Sequence, residues 1–144
     1  MQTNYDHLKL ERQLCFPLYA CSREIIKQYK PFLDPLGLTY TQYITMLVLW
    51  ERKHVNVKTL GDILYLDSGT LTPLLKKLEA KGLVSRRRSS EDERNLIISI
   101  TDAGEALKEQ AASIPTELTK TVNLTKEECL ALYNMLYKYL NRNK

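Results

Sequence analysis

Leu66-Asp67-Ser68-Gly69-Thr70-Leu71-Thr72-Pro73 decides how this chain is read. Asp67, Ser68, Gly69, Thr70 and Thr72 are small polar residues or glycine, and the three-and-four spacing of Leu71, Leu74, Leu75 and Leu78 marks one helical face. Two starts suit such a helix. Asp67 is a good cap but leaves Pro73 deep in the helix, whereas Thr72 as cap puts Pro73 at the first position. A start near Ser68 with a loosened first turn is expected. Gly82, just past Lys81, tolerates a left-handed backbone and marks the stop.

Outward from this helix the pattern stays regular. A shorter helix from about Asn56 carries Val57, Leu60, Ile63 and Leu64. Before it, Thr39-Tyr40-Thr41-Gln42 reads as a capping box opening a helix toward Arg52, with Tyr43, Ile44, Leu47 and Val48 inward. Leu49, Leu60 and Leu64 are also expected in the core. Farther upstream, Leu10, Leu14, Leu18, Cys21 and Ile25 follow a helical stripe. Pro17 either kinks that helix or opens a fresh turn. Lys30-Pro31 and Asp34-Pro35 are expected to break it, with Gly37 closing the segment.

After Gly82 the period changes. Leu83–Arg87 and Leu96–Ile100 look like two strands flanking a polar tip from Ser89 to Asn95. Thr101 caps a long helix. A second capping box, Thr125-Lys126-Glu127-Glu128, opens a last helix carrying Cys129, Leu132, Met135, Leu136 and Leu140. The expected fold is mainly α with a small β-hairpin: a winged helix-turn-helix over residues 39–101. An N-terminal helix (1–38) and C-terminal helices (102–144) flank it in one compact unit.

Bulk properties narrow the class. With 144 residues and 44% apolar content, the chain has enough material for one real core. No stretch approaches the ~20 apolar residues of a membrane span. Met1–Lys9 is polar with charges of both signs, unlike a secretory signal, so a cytoplasmic location is expected. Cys15, Cys21 and Cys129 form an odd set that suggests free thiols. His7 and His54 stand alone, so neither a metal site nor a cofactor is expected.

The net charge of +4 is mild, but its placement is informative. Between Lys76 and Arg94, Lys76, Lys77, Lys81, Arg86, Arg87, Arg88 and Arg94 outnumber Glu79, Glu91, Asp92 and Glu93 by three, most of the chain's excess. Such a run alone equally describes a solvated hairpin face. Joined to two short helices and a hairpin, it suits a duplex, with one helix in the major groove and the hairpin at the neighbouring backbone or minor groove. The candidate contacts are Asp67, Ser68, Thr70, Thr72, Lys76, Arg86, Arg88, Asp92 and Arg94.

Asp92-Glu93-Arg94, six residues ahead of Ile100-Thr101, resembles the wing signature of the MarR family, Asp-x-Arg-x5-Leu-Thr, with Ile for Leu. Leu66–Lys76, Gln13-Leu14-Cys15-Phe16, Tyr29-Lys30-Pro31 and Thr39-Tyr40 resemble one branch, the organic hydroperoxide regulators (OhrR). The resemblance implies a homodimer held by the first and last helices, repressing transcription from a pseudo-palindromic operator. It also implies that Arg94, oriented by Asp92, reaches the minor groove.

A free thiol, with pKa ~8.5, is only slightly ionised at neutral pH, and the thiolate is what attacks a peroxide. The resemblance implies that Cys15 is the reactive thiol, with Tyr29 and Tyr40 of the partner subunit hydrogen-bonded to it and Tyr19 as a third tyrosine. An organic hydroperoxide is then the inducer, turning Cys15 into a sulfenic acid. Without the resemblance, Cys15 reads as a small hydrophobe and the tyrosines as packing. Cys129 is a possible resolving thiol, although its place inside the last helix, three residues before Leu132, favours a one-cysteine sensor. Two alternatives stand: release by a small aromatic ligand with structural cysteines, and a thiol peroxidase. Against the peroxidase, only Arg12 and Arg23 approach Cys15 in sequence and no general base stands out. The chain is therefore not expected to be an enzyme.

Overall fold

Side-chain caps at Thr39, Asn56, Asp67, Thr101 and Thr125 start five of the helices. The computed structural model describes residues 4–92 and 95–141, in two compact units, Met1–Ile114 and Pro115–Lys144. In the first unit, two short 3-10 turns precede α1 (Cys15–Leu33). Pro17 falls in the first turn of α1, where its missing N–H is not needed, so the helix does not kink there. Contrary to expectation, Lys30-Pro31 does not end α1. Pro31 lies two residues before its end and costs one hydrogen bond, while the Asp34 N–H still donates to the Lys30 carbonyl. A 3-10 turn over Asp34–Leu36 then closes at Gly37, whose φ of 67° is left-handed.

The helix α2 (Tyr40–Arg52) opens on the complete capping box: the Gln42 N–H donates to Thr39 Oγ1, and the Thr39 N–H returns to Gln42 Oε1 at 3.0 Å. Asn56 caps α3 (Val57–Leu64), and Asp67 caps α4 (Ser68–Ala80), so the first of the two possible starts is the real one. Helix α4 is continuous from Ser68. Pro73 is carried inside it, and the Thr72 hydroxyl donates to the Ser68 carbonyl at 2.8 Å. Gly82 follows with φ 75°.

Strands β2 (Val84–Arg88) and β3 (Leu96–Ile100) form the wing, pairing Arg86 with Ile98 across the ladder. A third strand, β1 (His54–Asn56), pairs with the other edge of β3 and puts Val55 opposite Ile98. Three residues are too few to show an alternating pattern; the edge of β3, distant in sequence, makes them a strand. Thr101 caps α5 (Asp102–Ala111). The expected long helix is instead two, α5 and the short α6 (Ile114–Thr119). In the second unit, Thr125 Oγ1 accepts the Glu128 N–H at the start of α7 (Lys126–Asn141).

Met46, Leu49, Leu60, Leu71, Leu75, Leu78 and Ile98 are fully buried and join α2, α3, α4 and the sheet. Burying each leucine is worth about 1.5–3 kcal/mol, which makes these elements one packing unit. Leu47, expected inward, is exposed, while Ile44 and Leu64 are only half-buried. The apolar stripe leading into and along α1 lies open: Leu14, just before the helix, is 77% exposed, and Leu18 and Ile25 are also uncovered. No described residue of α7 is buried.

Candidate DNA interface and redox site

Helices α3 and α4 pack closely because residue 61 is glycine. A Cβ there would lie 2.7 Å from the Leu66 carbonyl oxygen and 3.2 Å from Leu71 Cδ1. Tyr65 makes the turn between the helices, taking a left-handed φ of 56°. Asp67 Oδ1 accepts the Thr70 N–H at 2.8 Å, and this bond holds the carboxyl below the usual carboxylate range. Asp67 therefore serves as the cap. Ser68, Thr72 and Lys76, four residues apart, share one exposed face, with Thr70 exposed at the helix start.

The arginines divide into different roles. The Arg86 guanidinium binds Glu79 Oε1 through Nε at 3.2 Å and an Nη at 3.0 Å, fastening β2 to α4. That pair holds Glu79 below its ordinary range. Arg86 therefore meets α4 as well as standing on the wing. Arg88 is exposed and borders a groove of about 530 Å³ between α3, the start of α4 and the wing, shared with Lys58 and Asn95. The wing tip closes by the Ser89 N–H on the Asn95 carbonyl at 2.7 Å and the Asn95 N–H on the exposed Asp92 carbonyl at 2.9 Å. Arg94 lies outside the described residues. Lys58, second residue of α3, went unnoticed in the sequence; its signal was a cation just behind the Asn56 cap.

Cys15 is the first residue of α1 and exposed, as are Cys21 and Cys129. Tyr19, one turn on, is exposed, accepts a hydrogen bond from Arg23 at 3.2 Å and lies beneath its guanidinium. Tyr29 and Tyr40, far apart in sequence, come together with ring centroids 4.9 Å apart. Tyr43, read from the sequence only as core, completes the cluster at 5.6 Å from Tyr29 and 6.4 Å from Tyr40. Burial and then its phenol neighbours push Tyr29 up to about 12; burial also raises Tyr40 and Tyr43. At neutral pH these phenols keep their protons and remain hydrogen-bond donors.

A family model described as transcriptional regulator SarA/Rot matches residues 27–111. The organic hydroperoxide resistance transcriptional regulator of Bacillus subtilis (strain 168) is 51% identical over 140 residues, covering 97% of this chain and 95% of that protein. Among solved structures, reduced AbfR bound to DNA superposes with a TM-score of 0.79 at 35% identity, covering 94% and 95% of the two chains. A serine-for-cysteine mutant of E. coli MarR bound to operator DNA, 24% identical, superposes at 0.78 over 96% and 99%, a likeness of fold.

Proposed function

The chain belongs to the MarR family of winged-helix transcriptional regulators, in the branch of the organic hydroperoxide resistance regulators, and from that premise we propose that it is a redox-controlled repressor. It holds a pseudo-palindromic operator as a homodimer while Cys15 is reduced and lets go when an organic hydroperoxide oxidises that thiol. Residues 1–38 and 102–144 supply the dimer contacts, and residues 39–101 read the duplex.

The observation that carries this reading is the division of the redox site between the two ends of α1. Cys15 opens the helix and Tyr29 lies 14 residues along it, a rise of roughly 21 Å at ~1.5 Å per residue. Tyr29 and Tyr40 therefore cannot reach the Cys15 of their own chain. A second copy of α1 running antiparallel brings one chain's thiol to the other's phenols, and the open stripe of Leu14, Leu18 and Ile25 is the surface on which it would lie. The site is incomplete without the partner.

The thiolate sulfur of Cys15 attacks the terminal oxygen of the hydroperoxide. The S–O bond forms as the O–O bond breaks, leaving Cys15 as a sulfenic acid, and the alkoxide takes up a proton to leave as the alcohol. The tyrosine donors lose the anion they held, and the two reading heads shift. A small thiol then resolves the sulfenic acid, giving a mixed disulfide and water; Cys129 is the alternative resolving group. On the duplex, Ser68, Thr70, Thr72 and Lys76 face the major groove, and Arg88 and Arg94, the latter oriented by Asp92, reach the backbone and minor groove. Arg86 acts as the strut that holds the wing to α4.

Gel shifts with and without cumene hydroperoxide, comparing wild type with Cys15→Ser, test the reading. Wild type should release its operator, and the serine variant should keep it. Equal release of both would mean that the thiol is not the trigger.

A further inference from the structure

A change at the tyrosine cluster has to reach the wing, and the fold offers a short, continuous path. Tyr43 touches both Tyr29 and Tyr40, and its side chain is 2% exposed. Seven residues later, on the same face of α2, the Trp50 ring meets the Tyr43 ring edge-on at 6.4 Å. The Trp50 indole N–H then donates to the Gly104 carbonyl at 2.9 Å, a buried bond between residues far apart in sequence. Gly104 lies where both wing strands are rooted. A Cβ there would collide with the Leu83 carbonyl oxygen, just before β2, and lie 2.8 Å from Ile100 Cγ1, the end of β3. Alongside, the Ile100 N–H donates to the Lys53 carbonyl at 2.9 Å, and the Lys53 ammonium pairs with Glu105 at 2.7 Å. Helix α2 thus carries sensor rings at one end and is fastened to the wing root at the other.

We infer that Tyr43 and Trp50 are positioning residues that fix the wing root against the sensor tyrosines, so that displacement of Tyr29 and Tyr40 re-aims the wing. The inference rests on the redox reading above. Close packing makes the path effective: rings in contact and a buried hydrogen bond move together or repack as a unit. Exposed ion pairs such as Lys53–Glu105 are too weak and solvated to pass the change alone.

The test compares operator affinity before and after cumene hydroperoxide in full-length wild type, Cys15→Ser and Trp50→Phe, with thermal melts of each. Trp50→Phe keeps an aromatic ring and deletes the indole donor. Its ratio of reduced to oxidised affinity should fall at least ~5-fold below that of wild type, the lower end of typical allosteric coupling. A lower melting temperature with an unchanged ratio would show a merely structural residue and overturn the inference. Should Trp50→Phe fail to fold, wild type itself decides, because Trp50 is the single tryptophan of the chain. Its emission should shift on oxidation of wild type and stay constant in Cys15→Ser. Constant emission in a wild-type protein that has released DNA would sink the relay while leaving the redox reading intact. A wild type that keeps its operator after oxidation would end both.

Discussion

Residues of one chemical type divide by what surrounds them. Arg86 on β2 is tied to Glu79, whereas Lys58 on α3 lines the groove between α3, α4 and the wing. A charge that touches phosphate releases counterions; one paired inside the fold does not. Lys58→Ala should therefore weaken operator binding and lower the slope of log affinity against log salt by about one. Arg86→Ala should leave that slope alone and lower the melting temperature, because α4 loses its strut to the wing. Paired salt titrations and thermal melts read both effects. An Arg86→Ala variant with normal stability and a reduced slope would move that arginine from the fold to the duplex. The candidate contacts of α4 were legible from residue type and position, since small polar residues before an apolar stripe leave few other helix starts. The role of Arg86 was not, because its carboxylate partner is seven residues away on another element.

At the scale of elements, caps and close approaches settle the geometry. Thr39, Thr101 and Thr125, read as caps from the sequence, accept helix N–H groups, as do Asp67, one of two candidate caps, and Asn56, read only as the approximate start of its helix. Such caps are local, so a single sequence reveals them. The angle at which α3 meets α4 is not local. It depends on the bare Cα of Gly61 against the Leu66 carbonyl oxygen, a backbone atom that cannot rotate away. Gly61→Ala should cost about 1–3 kcal/mol, in the range of other overpacked sites, and reduce operator affinity even well below the melting transition. Chemical denaturation together with gel shifts would check this. Unchanged stability would mean that the two helices have room to separate. Helix α1 teaches the complementary lesson. Lys30-Pro31 reads as a break, but one lost hydrogen bond near a helix end is offset by the packing of Leu33, which is 2% exposed.

Across the whole molecule, the uncovered apolar side chains of α1 and of α7 each call for a partner surface, and the proposed antiparallel pairing of α1 would also complete the redox site. Leu18 is exposed in the single chain, so Leu18→Glu should fold normally. It should sediment as a monomer and bind the palindromic operator roughly two orders of magnitude more weakly, since two linked half-site contacts become one. Sedimentation and operator titration would report it; a Leu18→Glu dimer with full affinity would place the interface elsewhere. The sequence by itself determined most helix starts, the wing strands and the basic hairpin, because each depends on residue type and spacing within one or two turns; Cys15 stood out only through the family resemblance. Tertiary structure alone decided that β1 joins the wing, that Arg86 pairs with Glu79, and that Tyr43 meets Tyr29, Tyr40 and Trp50, whose indole N–H reaches the Gly104 carbonyl. Those features depend on side chains brought together from distant positions, and only the packed core determines which of them meet.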